Sequence, residues 1–313
     1  MRYLLRLLFA LGCAALPARA QLSFAFDYSY DSAGFFSGEN SYRRAYLEAA
    51  GAYLTSFVDA TSVTAITPDA TNSWAPVIFD PADYTQTIAL GNISVAADTI
   101  VVYAGGTSFE SPTTVAYGGP GAGSVPDGSS MEWISTLLYR GHVGYRMPPI
   151  GSITFTTDWA WYFDDDISTV EDMGTSLDFF SEAIHELSHL IGFGTTETWT
   201  GLVDSANGLF LGANAMAEFG GAVPLDDLQQ HWAEGTMDYV AGTTVSHETA
   251  MDPTIYEGER KYLTDLDVAA LADIGYTLSA VPEPATTTAL LALVTLGYAT
   301  LRRRRKRHST AGS

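Results

Sequence analysis

The alternation of hydrophobic and polar positions divides the first half of the chain into short strands. A period of two, typical of a strand, runs over residues 23–30, and further strand patterns occur at 94–96, 99–103 and 150–157. Residues 105–128 are rich in Gly, Ser and Pro, and this composition predicts a loop. The first half is therefore expected to contain a sheet whose strands are joined by long connections.

Three segments carry apolar residues at helical spacing. The first helix is predicted over 41–60 with Ser41 as its N-cap, and the last over 263–274 with Thr264 as its N-cap. A central helix is predicted over 176–191, and two glycines that follow it at once are suited to end it. Between the central and last helices only short patterned pieces occur. The order of elements predicts an α+β fold with an irregular second half.

The amino-terminal end has the features of a secretory signal peptide. Residues 1–20 open with Arg2 and Arg6 beside an apolar run, and they end on the small-x-small sequence Ala18-Arg19-Ala20. Cys13 leaves a lipoprotein as an alternative, although the residues before it form a poor lipobox. Because Cys13 is the only cysteine, a disulfide framework is excluded.

The carboxyl-terminal end combines three parts in a fixed order. Val-Pro-Glu-Pro at 281–284 precedes a 17-residue apolar run over 285–301, which is at the lower limit for a transmembrane helix. A basic cluster at 302–307 follows and is typical of a cytoplasmic flank. One interpretation is a permanent membrane anchor. The three parts also resemble a PEP-CTERM sorting signal over 282–313, which implies a Gram-negative bacterium, removal of the tail by an exosortase-type enzyme, and a cell-surface or extracellular-matrix location.

The composition narrows the class of protein further. A chain of 313 residues with 47% hydrophobic residues has enough apolar material for a large core, which excludes a disordered protein. Residues 21–281 hold six basic and 35 acidic residues, a formal charge of −29. Such a body repels phosphate backbones, so no nucleic-acid partner is expected. The charge favours either simple solubility or affinity for cations such as calcium.

One acidic run is a candidate calcium site. Asp164-Asp165-Asp166 lies between an aromatic segment and the predicted central helix. It predicts either a Ca²⁺ site or a solvated acidic loop, and its spacing is not that of a known calcium-binding loop. The solvated loop is therefore the favoured interpretation.

The central helix carries an H-E-x-x-H motif, from His185 through Glu186 to His189. At 100° per residue the two histidines lie about 40° apart on one helix face, so both imidazoles can reach one metal ion. Glu186 adjoins this face and can act as a general base toward a water molecule that the metal activates. The alternative is a helix that carries these polar residues by chance. The motif therefore predicts a zinc-dependent hydrolase.

A third ligand is needed, and spacing alone does not select it. The other histidines are His142, His231, His247 and His308. His308 lies beyond the terminal arginines, and His142 lies in a segment without metal-like spacing. On the residues alone, His231 and His247 both remain candidates.

The motif order after the central helix resembles the leishmanolysin-like branch of the metzincin zinc peptidases. Gly192 stands at the metzincin glycine, and Thr195 replaces the third histidine of the short motif. The sequence His231-Trp232 follows after a long insertion, then Met251, then a closing D-x-G-aromatic segment within 271–276. The resemblance covers most of the body of the chain.

This resemblance implies a complete site. It implies one catalytic zinc ion held by His185, His189 and His231. Glu186 is then the catalytic base, and Met251, rather than Met237, is the methionine of the Met-turn beneath the metal. Pro253 stands where some metzincins carry a transition-state tyrosine, and Tyr256 lies three residues further on, so the oxyanion stabiliser is left unassigned.

The resemblance also implies an architecture and a function. A twisted mixed sheet with a backing helix and the active-site helix is expected over about 21–194. An irregular subdomain closed by one helix is expected over about 195–281, with a substrate cleft between the two. The expected activity is endopeptidase cleavage of extracellular proteins or peptides. The alternatives are a non-catalytic surface or matrix adhesion protein that retains the fold, and a protein that cleaves only itself. An intact Glu186 argues against adhesion, because a structural zinc site does not use a water-activating carboxylate.

Overall fold

The computed structural model describes residues 21–58, 63–142 and 144–279 as a mixed α+β protein with several small sheets. The helices are α1 Arg43–Ser56, α2 Met131–Tyr139, α3 Phe179–Leu190, α4 Glu197–Thr200, α5 Ala213–Phe219 and α6 Asp265–Asp273. The strands of the first half are β1 Ser23–Asp27, β2 Ala75–Asp80, β3 Asp83–Ala89, β4 Thr99–Thr107, β5 Ala116–Pro120, β6 Ala122–Ser124, β7 Ile150–Thr156, β8 Trp161–Tyr162 and β9 Leu177–Asp178. The strands of the second half are β10 Val203–Asp204, β11 Leu209–Phe210, β12 Val223–Pro224, β13 Met237–Tyr239 and β14 Ser246–Glu248.

The main sheet has the strand order β1-β4-β7-β5. The first three strands are parallel, and β5 runs antiparallel to β7 at one end of the sheet. Most of β4 and all of β7 are buried, as expected for parallel strands covered on both faces. The position of β5 leaves one of its edges without a strand partner in the part of the chain that the structure describes.

The strand predictions are confirmed for β1, β4 and β7, with changed bounds. The first strand ends at Asp27, three residues early, and β4 continues to Thr107. The strand predicted at 94–96 is wrong, because Val95 forms only an isolated bridge with Ile66.

The loop predicted over 105–128 is also wrong. Two strands, β5 and β6, lie within it, and the end of β4 enters it. Several of its glycines serve close packing: a Cβ at Gly118 would lie 2.5 Å from the backbone oxygen of Glu186 on α3. Composition predicted a loop because a strand that packs tightly on a helix needs the same small residues.

Three helices match the predicted ones, although one of the two predicted caps differs. Helix α1 lies against β1 and α3, with Leu47 and Leu54 fully buried. Its predicted cap, Ser41, is wrong: Tyr42 precedes the helix and makes no side-chain capping bond. Helix α3 begins after Asp178, whose carboxylate accepts a hydrogen bond from the Ser181 N–H. The capping role of Thr264 on α6 is confirmed.

The second half of the chain consists of short helices and strands, and a cluster of large aromatic side chains forms its core. Trp199, Trp232, Phe193 and Phe210 are fully buried and pack ring against ring. This cluster is part of the same hydrophobic core as α1 and the main sheet. The second half therefore packs on the first through the residues that flank the end of α3.

The predicted export segments are not described. The signal peptide over 1–20 and the transmembrane helix over 285–301 lie outside the described residues. Among the helices that are described, none has the length and apolar character needed to cross a bilayer.

Candidate metal centre

The imidazoles of His185, His189 and His231 converge at the end of α3. The Nε2 atom of His189 lies 3.1 Å from that of His185 and 2.9 Å from that of His231. Two nitrogens that each lie about 2.0–2.1 Å from a tetrahedral zinc ion are roughly 3.3 Å apart. These two separations are short of that value by a few tenths of an ångström, and the ligand nitrogens of all three histidines lie within 4.8 Å of one another, so the rings can hold one metal ion after a small movement.

The two histidines of α3 are held by backbone carbonyls. His185 Nδ1 lies 2.7 Å from the oxygen of Ala250, and His189 Nδ1 lies 2.8 Å from the oxygen of Phe193. Carbonyl partners require Nδ1 to donate, which leaves the Nε2 lone pairs free to bind a metal. Burial lowers the pKa of His185 well below its ordinary value and that of His189 to about 3. Both rings are thus neutral, the form that binds metal.

Close approach of two backbone segments brings His231 to this helix. Gly192 and Gly194 both have positive φ, 121° and 71°, so the chain turns sharply at the end of α3. A Cβ at Gly194 would collide with the carbonyl of Gln230, the residue before His231. The glycine therefore allows the third histidine to reach the other two.

A buried carboxylate joins the third histidine to the turn that contains Met251. Asp267 accepts hydrogen bonds from Trp232 Nε1 at 2.9 Å and from the Ala250 N–H at 3.0 Å. It also accepts from the Thr264 N–H at 2.8 Å, which completes the cap of α6. The Trp232 N–H donates to the oxygen of Met251, whose side chain is fully buried. The first turn of α6 thus holds the loop of His231 and the turn of Met251 together.

Glu186 points into the same site and is nearly buried, at 5% exposure. Burial raises the pKa of its carboxyl well above the ordinary value, and the carboxyl of Glu182, one helical turn earlier, raises it further. A hydrogen bond from the backbone N–H of Gly118 acts in the opposite direction. Sequence reasoning missed Glu182 and Gly118. The four-residue spacing between the two glutamates was the available signal for the first.

A cleft of about 360 Å³ contains the three histidines and Glu186. Its walls come from β5 with the chain before it, from α3, and from the turn after Met251. Leu228 stands at its mouth with 73% exposure. A larger, more open depression of about 770 Å³ lies elsewhere and contains none of the three histidines. The smaller cleft therefore carries the candidate chemistry.

Several candidate residues lie away from the three rings. His247 lines the larger depression, and its Nδ1 lies 3.0 Å from the oxygen of Glu248. Met237 is 53% exposed on β13, so it does not form a buried turn beneath the site. Tyr256 is exposed, and its hydroxyl donates to Glu234 rather than facing the cleft.

The acidic run at 164–166 bonds to protein partners instead of forming a cluster of metal ligands. Asp164 makes an ion pair of 2.9 Å with Arg260, and Asp165 accepts a hydrogen bond from Tyr46. Asp166 accepts hydrogen bonds from the backbone N–H and the hydroxyl of Ser168. Within the described residues, no group of candidate metal ligands includes this run. Asp165 and Asp166 are exposed, as expected of a solvated acidic loop, whereas the side chain of Asp164 is only 6% exposed and pairs with the buried Arg260.

Comparison with known proteins identifies one segment. The family model of the PEP-CTERM protein-sorting motif matches residues 280–305. Proteins with this motif are exported to the cell surface of Gram-negative bacteria, and the motif implies processing by an exosortase. Neither the curated proteins nor the solved structures gave a significant match. The sorting signal predicted over 282–313 is thus confirmed, and it lies outside the described residues.

Proposed function

We propose that the protein is a zinc-dependent endopeptidase of the leishmanolysin-like metzincin type, exported to the cell surface. The observation that carries the proposal is the convergence of three Nε2 atoms beside a buried glutamate in one open cleft. The order of the motifs along the chain supports the same assignment. The residues in question are His185, His189 and His231 as zinc ligands, Glu186 as catalytic base and Met251 as the Met-turn methionine.

The roles of the residues follow from their positions. A bound zinc ion would act as a Lewis acid that polarises the substrate carbonyl and acidifies water. Glu186 takes a proton from the attacking water and delivers it to the leaving amine. Burial raises the pKa of its carboxyl, and a carboxyl of raised pKa is a stronger base toward the attacking water. The Gly118 N–H orients the carboxylate toward the cleft.

The substrate class follows from the open edge of the sheet. Strand β5 is the last strand of the main sheet, and Ala116, Tyr117 and Gly118 line the cleft. An extended peptide can pair with such an edge through backbone hydrogen bonds, which are independent of sequence. Export to the cell surface places extracellular proteins within reach of this cleft. We therefore infer that unfolded or flexible protein segments are the substrates.

Hydrolysis of fluorescent casein by the chain without its signal peptide tests the proposal. We expect hydrolysis that stops with a zinc chelator and returns with added zinc. Glu186→Gln should reduce the rate by about 10²- to 10⁴-fold, since it removes the proton acceptor. It should leave zinc content unchanged, and Glu197→Gln, at an exposed carboxylate, should have no effect on either.

The other outcomes identify the alternatives. Equal hydrolysis in all samples would exclude this mechanism. No hydrolysis by a zinc-loaded, folded protein would favour the adhesion protein. Cleavage of the chain itself, with no casein cut, would indicate self-processing alone.

A further inference from the structure

The third histidine differs from the other two in its outer partner. His231 Nδ1 lies 3.0 Å from the Oδ2 atom of Asp226, whereas the corresponding atoms of His185 and His189 face neutral backbone carbonyls. We propose that Asp226 is the positioning residue of this site, which fixes the ring of His231 and sets the affinity for zinc. This inference rests on the proposed function only in requiring that the three rings bind a metal.

The carboxylate of Asp226 also builds the loop that carries His231. Its Oδ1 atom accepts the backbone N–H groups of Gln230 at 2.9 Å and of His231 at 3.1 Å. The backbone N–H of Asp226 in turn donates to the oxygen of His231 at 3.1 Å. Gln229 adopts a left-handed conformation with φ of 60° at the tip of this loop. One side chain thus closes the loop and orients the ring at its end.

Such an anchor is needed at this position. His185 and His189 are fixed by the helix to which they belong, but His231 lies on an irregular segment between β12 and β13. An imidazole on such a segment has rotational freedom that metal binding would have to remove. The bond to Asp226 removes that freedom before the metal arrives.

The charge of Asp226 has a second effect. The side chains of His231 and Asp226 are only 16% and 13% exposed, so water screens their interaction weakly. A carboxylate that accepts the Nδ1–H bond raises the basicity of the imidazole and makes Nε2 a stronger donor to a metal. The negative charge also offsets part of the charge of a divalent cation held by three imidazoles. Loss of an outer partner of this kind typically costs 10- to 100-fold in metal affinity.

Asp226→Asn separates the two roles of the side chain. The asparagine oxygen can still accept the N–H groups of Gln230 and His231, so the loop can form. The amide nitrogen then faces the Nδ1–H group of His231 and cannot accept a hydrogen bond from it. Asp204→Asn is the matched control, because Asp204 also accepts a backbone N–H in a turn, that of Ala206, but has no histidine partner.

Zinc affinity measured by competition with a chromogenic chelator gives the test. We expect the zinc dissociation constant of Asp226→Asn to rise by about 10- to 100-fold, with Asp204→Asn unchanged. The melting temperature of the metal-free protein should be unchanged in Asp204→Asn and should fall in Asp226→Asn by less than the loss of zinc affinity would require. Asp226→Glu, which keeps the charge, should recover part of the affinity. The visible spectrum of the Co²⁺-loaded protein should change in Asp226→Asn alone, because it reports ligand geometry.

Two results would overturn the inference. One is a zinc dissociation constant in Asp226→Asn within twofold of the wild type. The other is a fall in the melting temperature of metal-free Asp226→Asn that is large enough to explain the whole loss of zinc affinity. The side chain would then only support the loop. Failure of the proposed function looks different: the wild type would bind zinc with the predicted dependence on Asp226 and yet cleave no protein.

Discussion

Gly118 and Glu186 touch across the interface between β5 and α3, and this contact sets the position of the carboxylate that we propose as the catalytic base. A Cβ at residue 118 would lie 2.5 Å from the backbone oxygen of Glu186 and 2.8 Å from its Cβ. Real Cβ atoms do not approach other heavy atoms so closely, so any larger residue must push the helix and strand apart. The neighbouring Gly119 has no heavy atom within 4 Å of the corresponding position.

This difference between adjacent glycines gives a matched pair of variants. Gly118→Ala should lower the free energy of unfolding by about 1–3 kcal/mol, as expected for overpacking, and should reduce casein hydrolysis more than tenfold. Gly119→Ala should change the free energy of unfolding by less than about 0.5 kcal/mol. Urea denaturation measures the free energy of unfolding of the two variants, and casein hydrolysis measures their activity. Equal behaviour of the two variants would show that the close contact does not position the carboxylate.

At the scale of elements, helix α3 is held at its first turn by residues from the second half of the chain. Arg260 is 1% exposed in its side chain and binds the capping carboxylate of Asp178 through two nitrogens, at 2.7 and 2.8 Å. It pairs with Asp164 as well. The helix that carries two of the three histidines is thus fixed to the segment that closes the cleft.

Removal of this guanidinium leaves a buried carboxylate without its partner. Arg260→Met should therefore lower the free energy of unfolding by about 3–5 kcal/mol. Arg146→Met removes an exposed ion pair with Glu197 and should cost less than about 1 kcal/mol. Urea denaturation of the two variants gives the comparison. A similar small loss in both would mean that the buried pair does not fix the helix.

Helix α6 acts on the site through one carboxylate. Asp267→Asn keeps one acceptor oxygen and places an amide N–H against donors such as Trp232 Nε1 or the Ala250 N–H. We expect a loss of about 1–3 kcal/mol in stability and weaker zinc binding, because both the third histidine and the carbonyl partner of His185 lose their support. Asp265→Asn is the control: it removes a negative charge from the same helical turn but leaves the contacts of Asp267 in place. If both variants bind zinc like the wild type, the link through α6 is not needed.

The sequence predicted the parts that depend on local pattern, and it failed where distant contacts decide. Three of the six described helices (α1, α3 and α6), the three parallel strands of the main sheet and the H-E-x-x-H face follow from periodicity, whereas α2, α4 and α5 were not predicted. The strands at 116–124 were missed because glycines there serve contact with α3. The selection of His231 over His247 needed the family resemblance, since spacing alone allowed either. The roles of Asp226 and Asp267 could not be predicted, because each acts on groups that only the fold brings near.

At the scale of the whole molecule, a strongly acidic body is joined to a sorting tail. The segment 21–281 carries a formal charge of −29, and the sorting motif occupies 280–305. A body of this charge repels anionic surfaces, so we expect attachment to the cell surface to come from the tail.

Deletion of residues 282–313 should therefore release the protein. In a Gram-negative host with an exosortase, we expect the full chain to be found shortened and at the cell surface, and the deletion variant in a soluble fraction, either periplasm or medium. Immunoblots of fractions, with the mass of the mature chain, measure this. An intact tail in the membrane fraction would instead favour a permanent anchor.

The central claim is that three imidazoles hold one zinc ion in the cleft. X-ray absorption spectroscopy at the zinc edge, together with the zinc content of the purified protein, tests this claim most directly. The account predicts one zinc per chain with three imidazole nitrogens at about 2.0–2.1 Å, loss of the metal in His231→Ala, and an unchanged spectrum in His247→Ala. A protein that retains no zinc, or that retains it unchanged in His231→Ala and loses it in His247→Ala, would contradict the claim.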